Sequence, residues 1–231
     1  MEIVIESLLA GAERASGSVA VIDVFRAFTT AAVALANGAS QIYMVSTVEE
    51  ALTLKSGNAA QVCMGEVRGR KPEAFDFGNS PFEISTLSFS GLTIVQRTSA
   101  GTQGVTVAAR RAARLYAASL VTASATARTL SREQPAHVTL VAMGDNGTVR
   151  TTEDELCAIH LRNLLEGRSG DPAAIRRVIL AGREAMRFRD LARPHLHPND
   201  LNIALDIDRY DFAIRIDLES DRLIARMETK R

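Results

Sequence analysis

Acidic and arginine side chains follow the short apolar segments of this sequence, at the points where strands would end. Asp23 and Arg26 come directly after one apolar run, and Glu66 and Arg68 follow another. Ligands of open α/β sheets bind beyond the carboxyl ends of the strands. We therefore expect these charged residues to share one edge of a sheet, where they would form a site for an anion together with a metal ion.

The stretch Thr98-Ser99-Ala100-Gly101-Thr102 adds groups that bind phosphate esters. Hydroxyl groups and the backbone amides of small residues at a helix start donate to phosphate oxygens. Mg²⁺ prefers oxygen ligands, for which Asp23, Glu66 and Asp154 are candidates. A bound ion would offset the charge of the phosphate oxygens in phosphoryl transfer. These residue types predict Mg²⁺-assisted chemistry on a phosphate ester.

Each of these residues also has a purely structural interpretation. Asp23 could cap the following helix, and Glu153-Asp154 lies where any helix start favours acidic residues. Residues 98–102 lack the Gly-rich pattern GxxxxGK[ST], so alone they are a weak phosphate signal. The basic stretch at 176–189 is typical of a solvated helix face, and an anion-binding patch is the alternative.

Hydrophobic periodicity predicts alternating strands and helices over the first two thirds of the chain. Apolar runs without alternation are typical of buried parallel strands, and Thr47 with Glu50 has capping-box spacing. The expected strands are 18–22, 41–45, 60–64, 92–96, 114–117 and 137–143, and the expected helices are 29–37, 48–55, 102–111, 122–132 and 153–165. This order predicts the α/β class, as a layered α/β/α fold with a largely parallel or mixed sheet.

The last third of the chain has a different pattern. Asp171-Pro172 is a helix-start signal before a basic helix at 173–187. Segments 212–216 and 223–227 are expected to pair as a closing antiparallel hairpin. We therefore predict a single α/β domain over residues 1–231, in which a C-terminal layer from about residue 171 is appended as helix and hairpin.

Composition excludes several classes of protein. The 231 residues include 27 Lys and Arg against 27 Asp and Glu, with 46% apolar and 23% charged residues and no Trp. Without a cationic excess or base-stacking aromatics, we expect no binding to nucleic acid or to membranes. The chain lacks a membrane-length apolar segment, a secretory leader and any metal-ligand spacing of its two cysteines, so we expect a cytoplasmic protein.

Several motifs, taken in order, resemble those of the 2-phosphosulfolactate phosphatase family. The opening of the family is matched over residues 21–30, and Gly65-Glu66 followed by residues 75–83 resembles its distinctive pattern GE…FDxGNSPxE. The match continues with Gly101-Thr102, Glu153-Asp154, Cys157-Ala158 and residues 197–201. The resemblance covers essentially the whole chain, and the GNSP segment is its most specific part.

This resemblance implies a Mg²⁺-dependent phosphatase that hydrolyses 2-phosphosulfolactate to 3-sulfolactate and phosphate in coenzyme M biosynthesis. It also implies a homodimer and places the loop with Asp76, Asn79 and Ser80 around the metal and the substrate. The predicted site comprises catalytic Asp23, Glu66 and Asp76, metal ligands Asp23, Glu66 and Asp154, and substrate-binding Arg26, Arg68, Asn79, Ser80, Thr98, Gly101 and Thr102.

The chain departs from the family pattern where an anion would be held. Val67 stands where an Arg commonly follows the Gly-Glu pair, with Arg68 one residue later, and Ala100 replaces an Asn. An Asn supplies a donor and an acceptor, and a moved Arg binds an anion in a different place, so these changes bear on the substrate. Two alternatives stay open: a phosphatase for another phosphorylated 2-hydroxy acid, and a non-catalytic protein that binds an anionic metabolite.

Overall fold

The computed structural model describes residues 1–229, which form a nine-stranded sheet with helices on both faces. The strands are β1 (Glu2–Ser7), β2 (Gly17–Ile22), β3 (Gln41–Val45), β4 (Val62–Gly65), β5 (Thr93–Arg97), β6 (Ala112–Ala118), β7 (His137–Ala142), β8 (Ala213–Glu219) and β9 (Arg222–Glu228). The α-helices are α1 (Leu8–Arg14), α2 (Ala27–Ala36), α3 (Val48–Ser56), α4 (Pro81–Ile84), α5 (Gly101–Ala108), α6 (Ala123–Arg132), α7 (Thr152–Leu165), α8 (Pro172–Leu180), α9 (Arg183–Arg187) and α10 (Pro198–Ala204), and Leu120–Thr122 is a 3₁₀ turn.

The order across the sheet is β1-β7-β2-β6-β8-β9-β3-β5-β4. Strands β1, β7, β2 and β6 are parallel to one another, as are β3, β5 and β4, whereas β8 and β9 pair antiparallel with each other and with β6 and β3. The predicted α/β class, the largely parallel sheet and the C-terminal hairpin are confirmed. The hairpin lies in the middle of the sheet, where it joins the two parallel halves.

Strand β2 shows why the central strands are apolar without alternation. Val19 and Val21 pack into the core that contains α2 and α5, while Ala20 and Ile22 pack into the core beneath α6 and α7. All four side chains are fully buried because helices cover both faces of the sheet.

Helix α2 lies in the core, and nine of its ten residues are buried. Three antiparallel pairings lie between β2 and β5, so these two strands run in opposite directions. The Gln96 side chain of β5 nevertheless donates to the Ala27 carbonyl of α2 at 2.9 Å. Five strand steps of ordinary twist add up to about 100°, which is enough to let these carboxyl ends approach each other. The predicted single sheet edge is therefore replaced by strand ends of opposite direction that line one pocket.

The local signals in the sequence are confirmed where they were specific. Thr47 caps α3 by accepting the Glu50 amide at 3.1 Å, and Asp171 caps α8 by accepting two amides. The helix expected at 173–187 is instead two helices, because Gly182 is extended and separates α8 from α9. Strand β1 and helix α1 had no predicted counterpart.

Two further observations concern the whole described chain. No helix within residues 1–229 combines the length and the apolar character needed to cross a membrane. Cys63 and Cys157 are buried free thiols, and burial raises the pKa of both, that of Cys63 to about 11.

Candidate active site

A half-open pocket lies where the ends of β2, β4 and β7 meet the loop after β5 and helix α9. Six carboxylates line it, of which Asp145 is partly exposed. The other five are each less than one tenth exposed, and we refer to them as the acidic cluster: Asp23, Glu66, Glu153, Asp154 and Glu184. The structure thus brings together the three predicted metal ligands and adds two acidic residues from α7 and α9.

Backbone amides hold the two aspartates of the acidic cluster in place. Asp23 follows β2 and its Oδ1 accepts from the Ala27 amide at 3.0 Å. Asp154, in the first turn of α7, accepts from the amides of Val24 and Gly144, both at 2.8 Å. Asp154 therefore ties α7 to the chain immediately beyond β2 and β7.

Burial makes the ionised form of these carboxylates unfavourable. Burial, followed by the charge of Asp154, raises the pKa of Asp23, and burial with the charge of Glu153 raises that of Asp154. Burial also raises the pKa of Glu153 to about 7, and its Oε2 has no hydrogen-bond partner within residues 1–229. Since like charges buried together oppose one another's ionisation, a cation in the pocket would stabilise the acidic cluster.

Glu66 holds two loops against each other. Its carboxylate oxygens accept from the amides of Gly69 and Ser99. Gly69 belongs to a tight turn at 67–70, in which Arg68 and Gly69 both have positive φ, 51° and 84°. The amide of Arg68 donates to Ser99 Oγ at 2.9 Å, and its exposed guanidinium lines the pocket without a partner among the described residues.

Arg26 also lines the pocket, but a buried ion pair neutralises its charge. Its Nη1 donates to Asp200 Oδ2 at 2.8 Å and to the His195 carbonyl at 3.0 Å. The other oxygen of Asp200 accepts from Ser80 Oγ at 2.6 Å and from the Phe82 amide at 3.0 Å. The predicted substrate-binding residues Arg26 and Ser80 thus meet at the Asp200 carboxylate. This carboxylate anchors residues 78–82, which contain the GNSP motif and which we call the GNSP loop.

Asp76 lies outside the pocket, so its position does not support the predicted catalytic role. Lys55 Nζ donates to Asp76 Oδ1 at 2.5 Å, and the Cys63 amide donates to Oδ2 at 2.7 Å. Partial burial opposes ionisation, yet these donors hold the pKa of Asp76 below its ordinary value. Within the FDxGNSP motif, Asp76 therefore lies outside the pocket, whereas Asn79 lines it.

Asn79 is the residue of this loop that does line the pocket. It is buried, and its Oδ1 has no hydrogen-bond partner among residues 1–229. The side chain therefore presents an unpaired acceptor, the same chemical feature as Glu153 Oε2. Its predicted contact with a ligand is compatible with this position.

Thr98 and Thr102 shape the loop before α5 and do not line the pocket. Each backbone amide donates to the hydroxyl of the other residue, at 2.8 and 3.0 Å. Gly101 allows α5 to approach Asp23, because a Cβ there would lie 3.0 Å from Asp23 Oδ2 and 2.7 Å from Ala27 Cβ. The geometry of these three predicted phosphate ligands supports a positioning role.

Sequence reasoning missed the contribution of α9. Glu184 and Arg187 lie within the basic stretch that is typical of a solvated face, yet both line the pocket. Arg187 Nη1 donates to Asp145 Oδ2 at 2.9 Å, beyond the end of β7. The signal that could have found them is Gly182, which interrupts the helix and allows α9 a separate orientation.

The donor set fits Mg²⁺ as an open site. Within residues 1–229, no three Asp, Glu, His or Cys side chains are gathered closely enough to hold an ion by themselves. Mg²⁺ is usually bound by one or two carboxylates, with waters and substrate phosphate as the remaining ligands. The unpartnered oxygens of Glu153 and Asn79, beside the buried Asp23, match that requirement.

The fold and the pocket define an α/β protein whose strand ends carry a buried acidic site next to arginines, an arrangement suited to a cation and an anionic ligand. Residues 4–214 match the profile of the 2-phosphosulpholactate phosphatase family. The chain belongs to this family, as its motifs indicate.

Individual relatives agree with the family assignment. A protein of Thermotoga petrophila named probable 2-phosphosulfolactate phosphatase is 38% identical over 153 residues, which are 66% of this chain and 65% of the relative. Proteins of the same name from Bacillus subtilis and Thermoplasma volcanium are 30% identical over 202 residues and 33% identical over 192 residues. These two matches cover 85% and 83% of this chain and 85% of each relative, whereas the first spans slightly less than two thirds of the Thermotoga protein.

Proposed function

We propose that this protein is a Mg²⁺-dependent phosphatase that hydrolyses 2-phosphosulfolactate to 3-sulfolactate and phosphate. The family and the names of its relatives support the activity and the substrate. The observation that carries the proposal is the buried acidic cluster, in which Asp23, Glu153 and Asp154 all have a raised pKa. A protein without a ligand cation gains nothing from such repulsion.

Residues of the acidic cluster divide into candidate ligands and supports. Asp154 and Glu66 use both carboxylate oxygens to accept backbone amides, so they position β2, β7 and the two loops. Asp23, Glu153 and Asn79 are the residues that would hold Mg²⁺. When bound, the ion supplies positive charge to the phosphate oxygens.

Arg68 is the residue that would hold the phosphate. Its guanidinium is exposed to the pocket and unpaired among the described residues, and a guanidinium can donate two parallel hydrogen bonds to a phosphate. The turn at 67–70 fixes its backbone through Ser99. An arginine displaced by one residue from the family pattern is thus still available to an anion.

A phosphatase for another phosphorylated 2-hydroxy acid is the second candidate. Ala100 lines the pocket at the position where the family has Asn. A methyl group in place of an amide removes a donor and an acceptor from the wall, which favours a substrate with fewer polar groups. A non-catalytic anion-binding protein would retain Arg68 but would have no need of the acidic cluster.

Phosphate release from racemic 2-phosphosulfolactate tests the proposal. Release with Mg²⁺ that excess EDTA abolishes is the expected result. Release from phospholactate but not from 2-phosphosulfolactate would replace the named substrate with the second candidate. Binding of either ester without release of phosphate would replace catalysis with the binding function.

We also propose that the protein acts in the cytoplasm as a homodimer. The homodimer rests on the family resemblance, and light scattering after size-exclusion chromatography tests it. A single monomeric species at micromolar concentration would contradict it.

A further inference from the structure

Three arginines line the pocket, and they differ in how completely they are paired. Arg26 is buried and paired with Asp200, whereas Arg68 has no side-chain partner among the described residues. Arg187 is intermediate. Its Nη1 donates to Asp145, but its Nε is buried and has no acceptor within residues 1–229. A buried donor without an acceptor is costly, so this guanidinium is prepared for a further ligand.

The surroundings of Arg187 hold its backbone firmly at the pocket. The next residue, Phe188, is buried and packs edge-on against Phe25 with ring centroids 5.2 Å apart. The guanidinium carbon of Arg26 lies 5.8 Å from the centroid of the Phe188 ring. The Arg187 side chain is 33% exposed in total although its Nε is buried, so only part of the side chain is open to solvent.

Asp145 orients the guanidinium without saturating it. The ion pair occupies Nη1, which leaves Nε and Nη2 as a pair of donors on one edge of the planar group. That edge matches two oxygens of an oxyanion, a geometry that a lysine ammonium cannot reproduce. Because Asp145 is itself 34% exposed, its charge only partly offsets that of Arg187.

We propose that Arg187 binds the sulfonate of the substrate and thereby selects phosphate esters with a second strong acid on the neighbouring carbon. The inference rests on the proposed function. The phosphate must lie by the acidic cluster, where a cation would offset its charge, and Arg68 is free to hold it. The sulfonate, carried on the next carbon, is repelled by the carboxylates and is a weakly basic anion that suits a guanidinium.

Steady-state kinetics of Arg187→Gln test this assignment with two substrates that differ only in the sulfonate. With 2-phosphosulfolactate we expect kcat/KM to fall about 100-fold, as for a lost charge-assisted hydrogen-bonding group. With phospholactate we expect a change of less than about 3-fold, because no group meets Arg187. Arg187→Lys should recover only part of the loss, since the ammonium lacks the fork of donors.

The matched control is Arg189→Gln. Arg189 is exposed on the same segment and does not line the pocket. The Arg189→Gln substitution removes the same charge two residues along the chain from Arg187, and we expect kcat/KM to be unchanged with both substrates. An equal loss for both substrates in Arg187→Gln would overturn the proposal, because it would show that Arg187 maintains the pocket and does not select the sulfonate.

Product binding separates this inference from the proposed function. Calorimetry with 3-sulfolactate in Mg²⁺ buffer should show at least about 10-fold weaker binding to Arg187→Gln than to the wild type or to Arg189→Gln. Unchanged binding would overturn the role of Arg187. If the wild type binds 3-sulfolactate through Arg187 but releases no phosphate from the ester, the catalytic proposal fails and the binding assignment stands.

Discussion

Asp154 and Asp200 are buried to a similar depth, but their surroundings differ in kind. Asp200 is fully buried and accepts a hydrogen bond from the guanidinium of Arg26 at 2.8 Å, besides two bonds from the GNSP loop. Asp154 is 2% exposed and accepts two backbone amides, but its charged neighbours are carboxylates, Glu153 foremost. Arg26 thus balances the charge of Asp200, whereas the charges around Asp154 have the same sign as its own.

This difference distinguishes a structural ion pair from an incomplete site. Burying a charge costs several kcal/mol unless a partner and hydrogen bonds offset the cost. The anchor around Asp200 meets that condition with groups from three separate parts of the chain. Among residues 1–229, the innermost carboxylates of the acidic cluster have no cationic partner, and they lie at strand ends beside a pocket, where a ligand can supply one. The unbalanced region is thus the one that we propose as the functional site.

The largest expected effect follows from Asp23→Asn. Removing this charge from the acidic cluster should lower kcat by about 10³-fold, the scale of losing an electrostatic group that acts on developing charge. The fold should survive, because Asn can still accept the Ala27 amide and the repulsion decreases. The measurements are phosphate release and a urea unfolding curve.

Near-normal turnover of Asp23→Asn would remove Asp23 from the chemistry. A large loss of stability would instead make Asp23 resemble Asp200, and the contrast between the two regions would fail.

The next effect concerns stability and follows from Asp200→Ala. The substitution leaves the Arg26 guanidinium buried without its carboxylate and releases Ser80 and Phe82. We expect the free energy of unfolding to fall by about 3–5 kcal/mol, the usual consequence of breaking a buried pair. Urea denaturation measures it. If Arg26→Met combined with Asp200→Leu recovers none of the loss, the loop contacts and not the ion pair carry the anchor.

The pH dependence of stability should report the imbalance of the acidic cluster directly. Glu153 has an ordinary pKa of 4.5 and a folded-state pKa of about 7, so the folded protein binds this proton more tightly than the unfolded chain. Stability should therefore fall as pH rises from 4.5 to 7, by on the order of 3 kcal/mol, and stay low above that range. The raised pKa values of Asp23 and Asp154 act in the same direction.

Thermal melts with EDTA and with Mg²⁺ across this pH range measure the effect. Mg²⁺ should restore the loss at pH 8 and have little influence at pH 4.5, where protonation has already removed the repulsion. Glu153→Gln is the control, because without its charge the decline should become smaller. A melting temperature that rises with pH in EDTA would contradict the assignment.

The fold was predictable from the sequence to the extent that local patterns determine it. Apolar runs located the central strands, and caps such as Thr47 and Asp171 located helix starts, because these depend on neighbours in sequence. The central position of the β8–β9 hairpin was not predictable in this way. Its pairing with β6 and β3 depends on contacts between residues about 100 to 180 positions apart.

The candidate site was predictable by residue type but not by partner. Asp23, Glu66 and Asp154 do line one pocket, but the strands before Asp23 and Glu66 run in opposite directions and do not share the predicted sheet edge. The sequence could not show that Arg26 is neutralised by Asp200, or that Arg187 turns inward after Gly182. Both depend on which distant charge lies opposite, and a chain with equal numbers of acids and bases offers many possible pairs.

The smallest expected effect extends the comparison to a third aspartate, Asp76. It is paired, like Asp200, but its side chain is 34% exposed and its partner Lys55 is 33% exposed. An ion pair in such contact with solvent contributes about 0–1 kcal/mol, and Asn can still accept the Cys63 amide. Asp76→Asn should therefore change the free energy of unfolding by less than about 1 kcal/mol and kcat by less than about 2-fold. If phosphate release instead collapses as in Asp23→Asn, the family motif carries a catalytic aspartate that reaches the pocket only when substrate is bound, and burial next to unbalanced charge no longer identifies the functional carboxylates.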